Sequence, residues 1–209
     1  MRGRARPAGP TVPSMELRAA ASEDQPSVEE AVAAAFDEPV DGRVVRMMRQ
    51  LRISGAERAG IVAVAEDRVI GHVQLNRGWI DARQALAEAL VLSPLSVTPT
   101  QQNRGVGTSL IEAALMEAER QGAPAVFLEG SPIYYGARGF EAATPKGLLR
   151  PSPRIPDAGW QVALLPAYET WMTGQVVYPD AFWTTDTVGL RDPELRQVES
   201  KAAGLGVRL

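Results

Sequence analysis

Apolar residues recur along this chain with two different spacings, and the switches between them divide it into helices and strands. Met15 to Ala19 alternates as a short strand. After Ser22-Glu23-Asp24-Gln25, whose side chains suit a helix N-terminus, Val28, Val32, Ala35 and Phe36 return at helical spacing and predict a first helix. Val44, Val45, Met48 and Leu51 predict a second, closed by Ser54-Gly55. The period then drops to two. Gly60 to Ala65 and Arg68 to Leu75 read as a hairpin joined at Glu66-Asp67. From Trp79 to Leu86 the pattern fits a loop or a continued strand. Ala89 to Leu92 leads through Ser93-Pro94 into Leu95-Ser96-Val97, a strand composition broken by a residue with no N–H, so a bulge or bend is expected there.

The clearest helix runs from Thr108 to about Gln121. Leu110, Ile111, Ala114, Leu115 and Ala118 form its apolar stripe, and Gly122 suits its C-terminal cap. Ala125 to Leu128 reads as a buried strand, and a short helical turn is expected to carry Tyr134 and Tyr135. Further strands are predicted at Trp160–Leu165 and Gln175–Tyr178. The pattern defines a mixed α/β chain with one folded domain over residues 15–190. Residues 1–14 are expected to be a disordered tail and residues 191–209 a charged surface tail.

Composition narrows the chemistry. The chain has 209 residues, no cysteine and one histidine, His72. That excludes disulfides, thiolate nucleophiles and a multi-histidine metal site within one chain, and no metal is expected. The formal net charge of −3 offers no attraction to nucleic acid. No apolar run approaches the roughly 20 residues of a membrane span, no secretory signal follows the arginines near the N-terminus, and a cytoplasmic protein is expected.

Gln102-Asn103-Arg104-Gly105-Val106-Gly107-Thr108 follows a strand and opens the clearest helix. The unpaired amides and dipole of a helix start attract phosphate, and glycines keep side chains from holding the anion away. A Walker A loop would need Gly-Lys-Ser/Thr, which is absent, and a dinucleotide fingerprint would need a third glycine where Leu110 stands.

Gln102-x-x-Gly105-x-Gly107 resembles the signature of the GNAT N-acetyltransferase superfamily. Tyr135-Gly136-Ala137-Arg138-Gly139-Phe140 resembles the Tyr-x-x-x-Gly-Phe found downstream of it. Tyr134-Tyr135 and Gly174-Gln175-Val176-Val177-Tyr178-Pro179 are further similar to the bacterial YhbS-like subgroup of predicted acetyltransferases. Gly136-Ala137-Arg138-Gly139 departs from that subgroup, in which an arginine-phenylalanine-glycine run is expected there.

The resemblance implies an acyl-CoA N-acyltransferase fold, a splayed central sheet flanked by helices. It also implies acetyl-CoA as cosubstrate and a primary amine, small-molecule or peptide, as acceptor, with direct attack in a ternary complex. Leu95, Ser96, Val97, Gln102, Asn103, Arg104, Gly105, Val106, Gly107 and Thr108 are the expected coenzyme-binding residues. Tyr135 is the candidate general acid toward the leaving thiolate, although the phenol could instead hydrogen-bond the sulfur without giving up its proton. Tyr134 is expected as a wall residue; a different helical phase would exchange the two.

The general base is less defined. Glu129, at a strand end, is the candidate, acting directly or through water; Glu88 and His72 are weaker ones. Trp79, Trp160, Trp171, Trp183 and Tyr178 could line an acceptor pocket or simply pack. The superfamily often dimerises, but no residue here marks a homodimer interface. The competing reading is a non-catalytic acyl-CoA sensor or scaffold of the same fold.

Overall fold

The computed structural model describes residues 15–204. The expected N-terminal tail, residues 1–14, lies outside the described residues, as do residues 205–209. The sheet is built from β1 (Glu16–Ala19), β2 (Glu57–Ala65), β3 (Arg68–Ala82), β4 (Leu86–Val97), β5 (Ala125–Glu129), β6 (Glu141–Ala142), β7 (Leu148–Leu149), β8 (Trp160–Leu164) and β9 (Gly174–Val177). Its main path runs β1-β2-β3-β4-β5-β8-β6, with β9 paired to β3 and to β7. The helices are α1 (Gln25–Phe36), α2 (Arg43–Ile53), α3 (Val106–Arg120), α4 (Pro132–Gly136), α5 (Asp180–Thr184) and α6 (Glu194–Gly204).

The two sheet faces follow from alternation along each strand. On β5, Val126 and Leu128 join Leu110, Ile111 and Ala114 of α3 in one core, while Ala125 and Phe127 face a second core. There Phe127 stacks on Trp160, ring centroids 5.2 Å apart. A third cluster packs α1 and α2 over β2 through Val28, Val32, Val45, Met48 and Val62.

Trp79 to Ala82 continues β3: Trp79 to Asp81 stay paired with β4, and β9 pairs with all four residues from almost a hundred positions away. The longest helix begins two residues earlier than expected, at Val106, with Gly105 in the left-handed region at φ 88° as its cap. Part of the expected surface tail forms helix α6. None of its residues is buried, and Leu195, Val198 and Ala202 make a short apolar stripe among its charges. No helix among the described residues is long and apolar enough to cross a membrane.

Candidate active site

The expected distortion at Pro94 is a β-bulge. Val73 faces Leu95 and Leu75 faces Leu92, so Ser93 and Pro94 together oppose Gln74. Buried Asn76 holds the bulge, donating through Nδ2 to the Ser93 carbonyl at 2.6 Å and accepting from Gln74 at 2.7 Å. Beyond it the parallel strands β4 and β5 part: only Leu90↔Val126 and Val91↔Phe127 are paired. The free edge of β4 carries useful donors. Thr98 donates its N–H to Ile70 on β3 at 2.9 Å, so alternation turns the Ser96 amide toward β3 and the Leu95 and Val97 amides toward the gap.

Two cavities meet at this gap, and Leu95 lines both. The first, of about 420 Å³, lies over the start of α3 and is lined by Val97, Gln102, Asn103, Gly105, Gly107, Thr108, Tyr134 and Arg138 besides Leu95. Gln102 donates to the Val97 carbonyl at 3.2 Å, tying the loop to the strand end. Asn103 (φ 60°) and Gly105 (φ 88°) both take left-handed backbone, which turns the chain sharply into the helix. The two glycines serve different ends. A Cβ on Gly105 would meet nothing within 4 Å, so its conformation is what glycine supplies; a Cβ on Gly107 would lie 2.5 Å from the Tyr134 hydroxyl.

Three of the ten expected coenzyme residues do not line this cavity. The Ser96 side chain is buried and donates to the His72 carbonyl at 3.4 Å. Val106 packs into the α3 core, and Arg104 is exposed outside the lining. Their side chains play no part in the cavity wall. A different arginine supplies its positive charge: Arg138 donates to Thr108 Oγ1 at 3.0 Å and to the Tyr134 carbonyl, with its guanidinium 3.7 Å from the Tyr134 ring centroid. Sequence reasoning passed over Arg138, although its presence in the stretch that departs from the subgroup's run was the available signal.

The second cavity, about 730 Å³ and mainly apolar, brings Glu129 and Tyr135 together in one lining. Tyr135 packs edge-on against Tyr134 and Phe140, and its ring lies where a Cβ on Gly130 would stand, 2.2 Å from Cε2. Burial, then the neighbouring Tyr134 phenol, push the Tyr135 hydroxyl up to about 12 against a small opposing pull from Arg138. It therefore keeps its proton throughout the physiological range.

Glu129 continues the face of Phe127 and reaches the cavity half-buried. Desolvation pushes its carboxyl up to about 7, against the lowering effect of the Gly189 N–H donated at 2.9 Å, the Tyr178 phenol and the Arg154 charge. Tyr178 lines the same cavity, whereas none of the four tryptophans does. Trp160 is core and donates its indole N–H to Leu148 at 2.9 Å.

The other base candidates lie elsewhere. Glu88 pairs with Arg58 at 2.9 Å on the surface. His72 is buried away from both cavities, and desolvation, reinforced by Arg52, lowers it to about 4.

This arrangement of a bulged, parted strand pair around a helix-capping loop has clear relatives. Residues 16–143, more than half of the chain, match the sequence profile of the acetyltransferase (GNAT) domain, and the chain belongs to that family. It is 32% identical over 120 residues to the uncharacterized N-acetyltransferase YjhQ of Escherichia coli (strain K12), spanning 56% of this chain and 66% of that protein, just under two thirds of its length. Solved structures share the fold, among them two bound to the coenzyme. The GNAT family N-acetyltransferase YhbS from Escherichia coli, in complex with CoA, superposes with a TM-score of 0.73 over 84% of this chain and 95% of its own, at 22% identity. A GNAT family acetyltransferase from Brucella melitensis, in complex with acetyl-CoA, gives 0.65 over 81% and 98%, at 24% identity.

Proposed function

We propose that the protein transfers an acetyl group from acetyl-CoA to a primary amine by direct attack in a ternary complex. The carrying observation is the gap between β4 and β5, with a cationic, amide-lined cavity at one end and a carboxyl–phenol cavity at the other, joined at Leu95. The coenzyme's chemistry fits these residues. Its diphosphate matches the open α3 terminus beside Arg138 and Gly105, and its amide-bearing arm matches the unpaired edge of β4. The CoA and acetyl-CoA complexes of the two structural relatives point the same way.

The residues then divide the work. Glu129, ionised above about pH 7, takes a proton from the incoming ammonium, and the freed amine attacks the thioester carbonyl. The Leu95 and Val97 amides are the donors for the developing oxyanion. As the C–S bond breaks, Tyr135 passes its proton to the departing thiolate and regains one from the product nitrogen through water. A phenol at about 12 yields that proton only to a strongly basic acceptor, and the dry site that raises the phenol raises the thiolate too.

The test is release of free CoA from acetyl-CoA across a panel of amines, wild type beside Tyr135→Phe. Turnover in the wild type and a fall of about 100-fold in kcat for the variant are expected. Tight acetyl-CoA binding with no release on any amine would replace the enzyme with an acyl-CoA sensor.

A further inference from the structure

The larger cavity also carries information about what the amine is attached to. Among the described residues that line it, Glu129 and Lys201 are the charged ones, and the remaining surface is dominated by aliphatic and aromatic side chains. Lys201 lies exposed on α6 at the rim, while Glu129 sits at the inner wall beside Tyr178. Arg154, the cation that acts on Glu129 from outside the lining, is already paired with Asp186 at 3.2 Å. Among the described residues, a ligand entering this space therefore finds one carboxylate for one ammonium at the inner wall, and the cation of the lining, Lys201, on the exposed helix at the rim rather than beside it.

Resting on the acetyl-transfer reading above, we infer that the acceptor is a primary monoamine on an uncharged apolar body, an arylalkyl or alkyl amine. The exclusions follow from the same wall. An α-amino acid would place its carboxylate beside Glu129, two like charges at an inner wall to which the described residues of the lining bring no cation but the rim's Lys201. A polyamine would leave further ammonium groups buried among apolar side chains or facing Lys201. An apolar body loses only water-exposed surface on entry, which favours binding. The volume of about 730 Å³ falls in the ordinary range for pockets that enclose a small organic ligand.

The experiment pairs matched amines on the intact protein. Acetylation of 2-phenylethylamine, hexylamine, phenylalanine and spermidine is followed at saturating acetyl-CoA, and binding of the same four is titrated against the CoA-bound protein. The two apolar monoamines are expected to exceed phenylalanine and spermidine by at least about 100-fold in kcat/KM and in affinity, the order of effect that an unpaired desolvated charge produces. Ala202→Trp narrows the cavity from a helix with no buried residue, and is expected to weaken amine binding while leaving acetyl-CoA affinity unchanged.

Acetylation that favours phenylalanine or spermidine would overturn the inference and leave the transfer reading standing. Selective binding of the apolar amines with no acetylation would do the reverse. Equal binding of all four would overturn the inference whatever the turnover.

Discussion

The two cavities that meet at Leu95 are built in opposite ways. The one over α3 takes most of its wall from a single stretch, Gln102 to Thr108, whose backbone conformation is set by Asn103 and Gly105 and whose chemistry is that of exposed amides. The one around Glu129 gathers residues from both ends of the chain. It includes Phe36 and Met47 from α1 and α2, Pro94 from the bulge, Tyr178 after β9 and Ala202 on α6. A contiguous loop can bind one invariant group, a diphosphate, with little dependence on the rest of the fold. An assembled cavity varies with every element that borders it, and this is where a family can change acceptor without changing donor.

The sharpest way to break that division is at Glu129. Glu129→Gln keeps a carbonyl oxygen for the Gly189 N–H but removes the carboxylate proposed as base. It is expected to lower kcat/KM by about 10²- to 10⁴-fold and to abolish the rise in rate through about pH 7, with the Kd for acetyl-CoA unchanged. Rate against pH for both proteins, with one amine, checks it. A variant that retains the wild-type pH limb would move the base elsewhere.

Arg138 tests the other end. Its guanidinium is held by Thr108 and the Tyr134 carbonyl in the first cavity. Arg138→Ala is expected to raise the Kd for acetyl-CoA about tenfold, as loss of one charge-assisted hydrogen bond does, with kcat within about twofold of wild type. Equilibrium titration with CoA and acetyl-CoA checks it, and the effect should shrink as salt rises. A fall in kcat at unchanged affinity would mean that the arginine serves Tyr134 and Tyr135 rather than the coenzyme.

What the sequence revealed follows the same contrast. The loop from Gln102 to Gly107 could be read because a glycine-capped helix start is a local property, and the bulge because Pro94 withholds a ladder donor locally. The parting of β4 and β5, implied by the family resemblance, follows from that bulge. Tyr178 could be named only among several aromatics, since its place beside Glu129 depends on β9 pairing with the far half of β3. Asn76 gave no signal: a polar residue in a strand becomes a support for Ser93 only once β3 and β4 are in register. Gly130 likewise looks like a strand terminator until the Tyr135 ring is found against it. The α6 stripe was hidden by the charges around it.

Burial of Glu129 also has a cost that stability should report. A carboxyl raised from its ordinary value of 4.5 to about 7 binds its proton more tightly in the folded protein, so its contribution is fully present below about pH 4.5 and is lost as pH rises through about 7. His72, lowered from 6.5 to about 4, contributes with the opposite sign, present above 6.5 and lost as pH falls through 4. Comparing wild type with Glu129→Gln at each pH cancels the His72 contribution. The variant is expected to gain on wild type between pH 4.5 and 7, reaching about 1 kcal/mol or a few degrees in Tm once the half-exposed position is discounted, and to gain no more above that. Thermal melts across that range decide it. A constant offset would mean that the cavity is wet enough to solvate the carboxylate, and the assembled cavity would then not be the cause of the raised Glu129 carboxyl.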